Sequence, residues 1–253
     1  MKKQIATLPI LCALATPAFA DTLLGIYAGG GSIDFDVSGT FQDLDNGGTQ
    51  VDLEKDLNIT GDSGTYFYVA LEHGIPIVPN IKIARTMMDE TATSRLSKTI
   101  TFDDVTFPQN TPVTTSIDLS HTDFTFYYEV LDNWLNLDLG LTARQFDGGI
   151  DSHITGFSNY KASLDLNFTA PLLYAKAQID LPLSGLYVGG DLNWIGYSGS
   201  QFHDIWARVG YVFKFGLGLE LGYRQMKLKL DDVESLDADV TVDGNYLAAT
   251  FHF

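Results

Sequence analysis

Stretches in which apolar and polar side chains alternate recur along this chain, and this period of two constrains its fold more than any other feature. In the C-terminal stretch, residues 242–253, one face carries Leu247, Ala249, Phe251 and Phe253. Side chains alternate between the two faces of a β-strand, so each stretch predicts a strand with one apolar face. Most stretches run for about ten residues or more, longer than the five or six usual in globular sheets. Such lengths are typical of strands that cross a membrane.

Ten such strands can be placed, with connections that alternate between short turns and longer segments. The short turns are residues 74–80, 131–134, 181–185 and 214–218. Short periplasmic turns and longer outer loops alternate in this way in membrane barrels. The sequence therefore predicts an all-β fold, a transmembrane antiparallel up-and-down β-barrel of about ten strands, with eight or twelve as the alternatives. The ten segments are 23–31, 64–73, 81–89, 125–130, 134–146, 171–182, 185–197, 204–215, 217–230 and 242–253.

Arg85 and the long outer connections depart from regular alternation. Arg85 falls on the same face as Ile81 and Ile83, which indicates either a β-bulge or a strand end above the membrane. The longest outer connections, roughly 32–62, 90–115 and 148–170, are polar and are predicted to be loops.

The first twenty residues have the pattern of a secretory signal peptide. Lys2 and Lys3 precede an apolar run, and Ala18-Phe19-Ala20 resembles a cleavage site. We therefore expect a cleaved signal peptide over 1–20 and one barrel domain over 21–253. Cleavage removes Cys12, the only cysteine, so neither a disulfide nor a thiolate metal site is expected.

Net charge limits the classes of partner. Loss of Lys2 and Lys3 takes the formal net charge from −17 to −19, which argues against a nucleic-acid partner. After residue 20, no apolar stretch reaches the length of about 18 residues that a transmembrane helix needs.

A soluble barrel or β-sandwich would show the same period of two, because periodicity does not say which face points inward. Three features favour the membrane: the strand length, the terminal aromatic residue of an amphipathic strand, and aromatic residues near the strand ends. The aromatic residues assigned to the two interfaces are Trp134, Tyr187, Tyr211, Phe213, Phe215, Phe251 and Phe253 at the inner rim and Trp194, Tyr197 and Trp206 at the outer rim.

With its signal peptide, hairpins and closing YLAATFHF, the chain resembles Gram-negative outer-membrane β-barrel proteins, and among them a group of small, largely uncharacterised barrels. The resemblance implies an outer-membrane location. It also implies periplasmic chaperones and the barrel assembly machinery as partners during biogenesis. In that family the last strand is the assembly signal, and the matching positions here are Leu247, Ala249, Phe251 and Phe253. Ala249 is smaller than the large apolar residue usual at its position.

Charged residues on the polar faces predict a network inside the lumen. A ten-stranded barrel leaves little internal space, so an ion-paired plug is favoured over a narrow polar pore or proton path. The predicted network comprises Glu72, Glu129, Asp138, Arg144, Lys176, Asp180, Asp191, Arg208, Lys214, Glu220 and Arg224.

Catalytic candidates are few. Ten-stranded outer-membrane proteases use Asp and His at the outer rim, and Asp151, His153 and His203 are the residues that such chemistry would use here. A lipid deacylase would need a His–Ser pair, for which Ser120 and His121 are adjacent in sequence. Solvated loop residues are the simpler explanation of these positions, so we expect no catalysis and keep an outer-leaflet hydrolase as the alternative.

No metal or cofactor is expected. The acidic segment 41–52 has closely spaced oxygen ligands but lacks the order of a calcium loop. Loose divalent-cation binding at acidic loops, and contact of Lys227 and Lys229 with lipopolysaccharide phosphates, remain expectations. The predicted function is thus a monomeric outer-membrane barrel with a structural, surface-interaction or narrow-pore role.

Overall fold

The computed structural model describes residues 24–44, 47–233 and 235–252. The predicted signal peptide 1–20, the predicted mature start at Asp21 and the terminal Phe253 lie outside these residues. Ten long strands form one closed antiparallel barrel. They are β1 (Gly25–Asp43), β3 (Gly61–Glu72), β4 (Asn80–Met87), β9 (His121–Leu131), β10 (Leu135–Phe146), β13 (Thr169–Asp180), β14 (Leu186–Tyr197), β15 (Ser200–Val212), β16 (Leu217–Val233) and β17 (Leu236–His252).

The barrel closes by pairing of β1 with β17, in a register that runs from Tyr27 opposite His252 to Asp43 opposite Leu236. Gly31 lies at this seam, and a Cβ atom there would stand 2.0 Å from the carbonyl oxygen of Leu247. A side chain cannot fit at that distance, so the seam requires glycine at this position.

The predicted fold class and number of barrel strands are confirmed. Strand β4 pairs regularly with β3 past Arg85 as far as Met87, so Arg85 does not lie at a β-bulge. Its guanidinium donates to both carboxylate oxygens of Asp147, at 2.9 and 2.7 Å. No helix in the described part of the chain is long and apolar enough to cross a membrane.

The long outer connections are not the polar loops that the sequence predicts. They contain seven further strands: β2 (Val51–Asp52), β5 (Asp89–Arg95), β6 (Ile100–Phe102), β7 (Val105–Phe107), β8 (Pro112–Asp118), β11 (Gly148–Ile154) and β12 (Phe157–Leu166). Strands β12, β11, β8 and β5 form a four-stranded sheet in that order, and β6 and β7 form a hairpin. We call this region, together with the outer ends of β1, β16 and β17, the extracellular β-domain.

The extracellular β-domain has an apolar core. Its outer strand ends and its sheet contribute buried side chains, among them Phe41, Leu53, Phe102, Phe107 and Val113. Phe41 and Phe102 meet edge to face, with ring centroids 5.2 Å apart. Burial of this many large apolar side chains gives the region a packed interior, which continues into the upper part of the barrel.

The barrel wall shows the opposite distribution. Its outward-facing side chains are apolar and exposed, whereas its inward-facing side chains are mostly polar, aromatic or charged and buried. A water-soluble barrel would not leave such a belt uncovered, but a membrane barrel requires it. The belt includes Phe67, Val69, Ile83, Phe126, Leu139, Leu141, Leu173, Val188, Ile205, Leu219, Leu221 and Leu247.

Two of the aromatic residues assigned to the interfaces are placed differently. Tyr187 points into the lumen, where its hydroxyl donates to Glu220 at 2.9 Å. Trp206 also points inward and packs against Tyr66 and Tyr246. The alternation of their strands puts both on the polar face, so they fill the lumen and do not belong to the aromatic girdles.

Candidate functional site

The most constrained polar site lies inside the barrel, at the boundary with the extracellular β-domain. Arg144 on β10 donates to Asp123 twice, both at 2.7 Å, and to Asp204 once, also at 2.7 Å. Arg224 on β16 donates twice to the same Asp204, at 2.9 and 2.7 Å. We call these two arginines and two aspartates the arginine layer. Its two positive and two negative charges balance.

The arginine layer is closed to solvent. The side chains of Arg144 and Asp204 are 0% exposed, that of Arg224 is 1% exposed and that of Asp123 is 14% exposed. Its members come from β9, β10, β15 and β16. Asp123–Arg144 and Asp204–Arg224 each join neighbouring strands, whereas Arg144–Asp204 crosses the lumen from β10 to β15. A fully desolvated, multiply hydrogen-bonded ion-pair network is rigid, because breaking any one pair leaves a buried charge unpaired.

Further hydrogen bonds complete the arginine layer. Arg224 donates to the Thr86 hydroxyl at 3.1 Å and to Nε2 of His121 at 3.0 Å. The Nδ1 atom of His121 lies 2.8 Å from the carbonyl oxygen of Leu119. Since a guanidinium only donates, Nε2 accepts and Nδ1 carries the proton, so His121 is the neutral tautomer with both nitrogen atoms engaged.

Aromatic rings cover both guanidinium groups. The Arg224 guanidinium carbon lies 4.3 Å from the centroid of the Trp206 ring, and that of Arg144 lies 5.3 Å from the Phe202 ring. Phe146 contacts both His121 and Phe202, at centroid distances of 5.4 and 6.2 Å. Cation–π contacts of this kind stabilise arginines that have lost their water.

The periplasmic half of the lumen holds a second set of polar and charged side chains, in which the lysines are partly exposed. Lys176 pairs with Asp138 at 2.9 Å, and Lys82 pairs with Asp191 at 3.4 Å. The Glu220 carboxylate accepts hydrogen bonds from two tyrosine hydroxyls. The Lys176 and Lys82 side chains are 25% and 21% exposed, unlike the members of the arginine layer. These two lysines are therefore more exposed than any member of the arginine layer.

Most of the predicted lumen residues lie on the inward face of the barrel wall. The exception is Lys214, which lies exposed in the turn after Val212. Strand β15 ends there because the chain reverses at Gly216, where φ is +89° and the Gly216 N–H donates to the Phe213 carbonyl oxygen at 3.0 Å. Glu129 and Asp180 lie near the periplasmic ends of their strands.

Several lumen residues were missed. Asp123 and His121 lie on β9, which begins four residues before the predicted strand 125–130. Lys82 shares the inward face of β4, and the alternation that placed Ile81 and Ile83 outward predicts this orientation. The tyrosines that fill the lumen, Tyr66, Tyr127, Tyr174 and Tyr246, were identifiable by the same parity.

The hydrolase candidates do not come together. Asp151 lies on the exposed face of the extracellular sheet, where its carboxylate accepts a hydrogen bond from Ser163 rather than from His153. His203 belongs to barrel strand β15 and shares the outward face with Ile205, opposite Trp194 and Lys227. Its neighbour Asp204 points inward to the arginine layer. In the described part of the chain, no hydrogen bond joins Asp151, His153 and His203, so the structure does not bring them together as an acid–base pair.

The Ser–His candidate is also engaged elsewhere. The Ser120 hydroxyl accepts a hydrogen bond from the Met88 N–H at 3.2 Å, and His121 is held by Arg224 as described. In the described residues, no group of three or more histidine, cysteine, aspartate or glutamate side chains could hold a metal ion. In the acidic segment, Asp52 pairs with Lys55 at 2.7 Å and Asp56 pairs with Lys98 at 2.8 Å.

Three residues of the predicted assembly signal lie on the lipid-facing side of the last strand. Leu247 is 57% exposed, and Ala249 and Phe251 follow on the same face. Lys227 shares the outward face of β16 but pairs with Asp239 at 3.0 Å. Lys229 is exposed and lines an open cavity of about 240 Å³ between the outer ends of β1, β16 and β17.

Comparison with known proteins gives the fold. No family model matches the chain, and no curated protein does. Among solved structures, the outer membrane protease OmpT from Escherichia coli aligns over 94% of this chain and 99% of its own, with a TM-score of 0.55 and 10% identity. The translocator domain of the autotransporter NalP from Neisseria meningitidis aligns over 93% and 90%, with a TM-score of 0.40 and 12% identity.

The fold is that of Gram-negative outer-membrane β-barrels. With the exposed apolar belt on its wall, the chain is an integral outer-membrane protein. Identities near 10% do not transfer the activity of any of these proteins.

Proposed function

We propose that this protein is a closed, non-catalytic outer-membrane barrel whose role is to hold the extracellular β-domain at the cell surface. The observation that carries the proposal is the arginine layer, whose paired charges lie inside the lumen with Arg144, Asp204 and Arg224 almost wholly buried. A pore needs a continuous path of water or exchangeable polar groups, and buried ion pairs across the lumen would block such a path. The buried charges of the arginine layer support a structural or surface-interaction role over transport.

Two features of the extracellular β-domain support a surface role. It has buried apolar side chains of its own, continuous with those of the upper lumen, and the outward face of its four-stranded sheet is polar. Hydroxyl pairs cross that face, including Thr93 with Thr114 at 3.1 Å and Thr114 with Thr155 at 2.9 Å. A regular, ordered face above a sealed stem presents a fixed surface to partners outside the cell. Lipopolysaccharide is the neighbour expected next to Lys227 and Lys229, and divalent cations remain proposed at the acidic segments.

Planar-bilayer recording tests the closed barrel. We expect no steady ion conductance from the refolded wild-type protein. Steady conductance, with defined unitary steps, would show that the lumen conducts and would replace the proposed role with that of a narrow pore.

The hydrolase alternative needs its own test, because OmpT is a protease with the same fold. Purified protein is incubated with a peptide library and with lipopolysaccharide, alongside a triple variant Asp151→Asn, His153→Ala and His203→Ala. We expect no turnover by either protein. Turnover by the wild type that the triple variant loses would establish the alternative.

A further inference from the structure

The turn that connects β3 and β4 on the periplasmic side is unusual in its composition. Residues 74–79 read Gly-Ile-Pro-Ile-Val-Pro and contain no charged or hydrogen-bonding side chain. Ile75, Ile77 and Val78 are 60%, 90% and 48% exposed. Three adjacent apolar side chains in open water would be unfavourable, and such patches mark contact with a partner or a membrane.

The conformation of the turn lifts Ile77 away from the protein. Ile77 has φ of +76°, a left-handed conformation that is rare for a β-branched residue. Leu183 in the β13–β14 turn, also on the periplasmic side, shares this feature, with φ of +62° and a fully exposed side chain. An unfavourable backbone conformation that exposes an apolar side chain indicates that the exposed side chain has a function.

A hydrogen bond ties the β3–β4 turn to the lipid-facing wall. Tyr128 lies on the outward face of β9, in line with Phe126 of the apolar belt, and its hydroxyl donates to the Ile77 carbonyl oxygen at 2.6 Å. The turn therefore lies against the outside of the barrel, and its apolar side chains extend the apolar belt at this rim.

We propose that the β3–β4 turn inserts into the inner leaflet of the outer membrane, with phospholipid acyl chains around Ile75, Ile77 and Val78. The continuity with the belt favours lipid over a periplasmic protein, because a protein partner would have to displace the phospholipids next to Tyr128. The turn would fix the depth and tilt of the barrel on one side, as interfacial apolar segments do when they sink about 5–10 Å into the headgroup and acyl boundary.

Site-directed fluorescence can measure this depth. A chain that starts at residue 21 contains no native cysteine, so Ile77→Cys gives a single labelling site for an environment-sensitive fluorophore. The protein is refolded into phospholipid vesicles and quenched in turn by brominated phospholipids and by aqueous iodide. Lys214→Cys, exposed in the β15–β16 turn, is the matched periplasmic control, and Leu141→Cys in the belt is the positive control. Heat-dependent mobility on detergent gels confirms that each variant folds.

We expect brominated phospholipids to quench the label at 77 nearly as strongly as the label at 141, and iodide to quench it far less than the label at 214. Equal iodide quenching at 77 and 214, with no quenching by brominated lipid at 77, would overturn the proposal and leave the turn as a surface for a periplasmic protein.

Discussion

Replacement of Arg144 by methionine should destabilise the barrel strongly, although it removes a charge whose desolvation is unfavourable. Arg144 makes three of the hydrogen bonds that hold Asp123 and Asp204, and the side chains of Arg144 and Asp204 are 0% exposed. Without it, Asp123 loses its only salt-bridge partner in the described part of the chain, and Asp204 keeps only Arg224. Breaking a buried ion pair from one side costs about 3–5 kcal/mol.

Denaturant titration in lipid vesicles measures this effect as a fall in the free energy of unfolding. The double variant Arg144→Met with Asp123→Leu should recover most of the loss, because it removes the unpaired carboxylate while Asp204 remains paired. Lys227→Met is the surface control. It breaks the exposed pair with Asp239, for which we expect less than about 1 kcal/mol.

A loss below about 1 kcal/mol for Arg144→Met would refute this account. It would mean that water already solvates Asp123 and Asp204, and hence that the arginine layer does not seal the lumen. Full stability of the single variant together with new ion conductance would point to a hydrated pore.

Three further predictions concern other parts of the molecule. Leu141→Arg places a charge on the lipid-facing belt and should lower the free energy of unfolding in vesicles by about 2–4 kcal/mol, the value for the membrane midplane. Thr93→Arg on the extracellular sheet should lower it little. Equal effects of the two substitutions would contradict the assigned membrane level. Gly31→Val should prevent closure of the β1–β17 seam and abolish heat-dependent gel mobility; a variant that still folds would show that the seam can shift. Lys55→Met should raise the pKa of Asp52, which the hydrogen bond from Lys55 chiefly lowers, and an unchanged pKa by NMR titration would contradict that cause. Because the folded-state pKa is the lower one, any stabilisation from Asp52 is present above its unfolded pKa of about 3.9 and is lost as the pH falls through the folded value.

The barrel was predictable because each membrane strand carries its own evidence. One face must meet lipid and the other must not, so a period of two is imposed residue by residue over the whole strand. The same parity placed Arg144, Asp191 and Arg224 inside the lumen. Lys214 was misplaced because the alternation of segment 204–215 was continued into the predicted turn 214–218, where parity no longer decides which way a side chain points.

The pairing of the lumen charges was not predictable. Arg144 and Asp204 are sixty positions apart on strands that are not hydrogen-bonded neighbours, and a pattern confined to one strand says nothing about contacts across the barrel. Asp123 was missed because its strand begins earlier than the apolar alternation does.

The extracellular β-domain escaped prediction for a different reason. Its strands are short, several are rich in threonine and serine, and their buried positions include polar residues such as Thr115 and Ser152, which pair at 2.9 Å. Its core residues Leu53, Leu57 and Ile59 come from a segment without regular period. Such a region packs only because the outer ends of β1, β16 and β17 provide a surface for it, and that support is tertiary.

Accessibility of a single cysteine from each side of the membrane tests the central claim most directly. Lys176 lies on the periplasmic side of the arginine layer, and its side chain is 25% exposed. The test variant is Lys176→Cys in the chain that starts at residue 21, which has no other cysteine. In oriented vesicles, a charged, membrane-impermeant thiol reagent should modify Lys176→Cys when added on the periplasmic side and leave it unmodified when added on the extracellular side. Modification from the extracellular side at a comparable rate would show an open path through the arginine layer and would contradict a closed barrel.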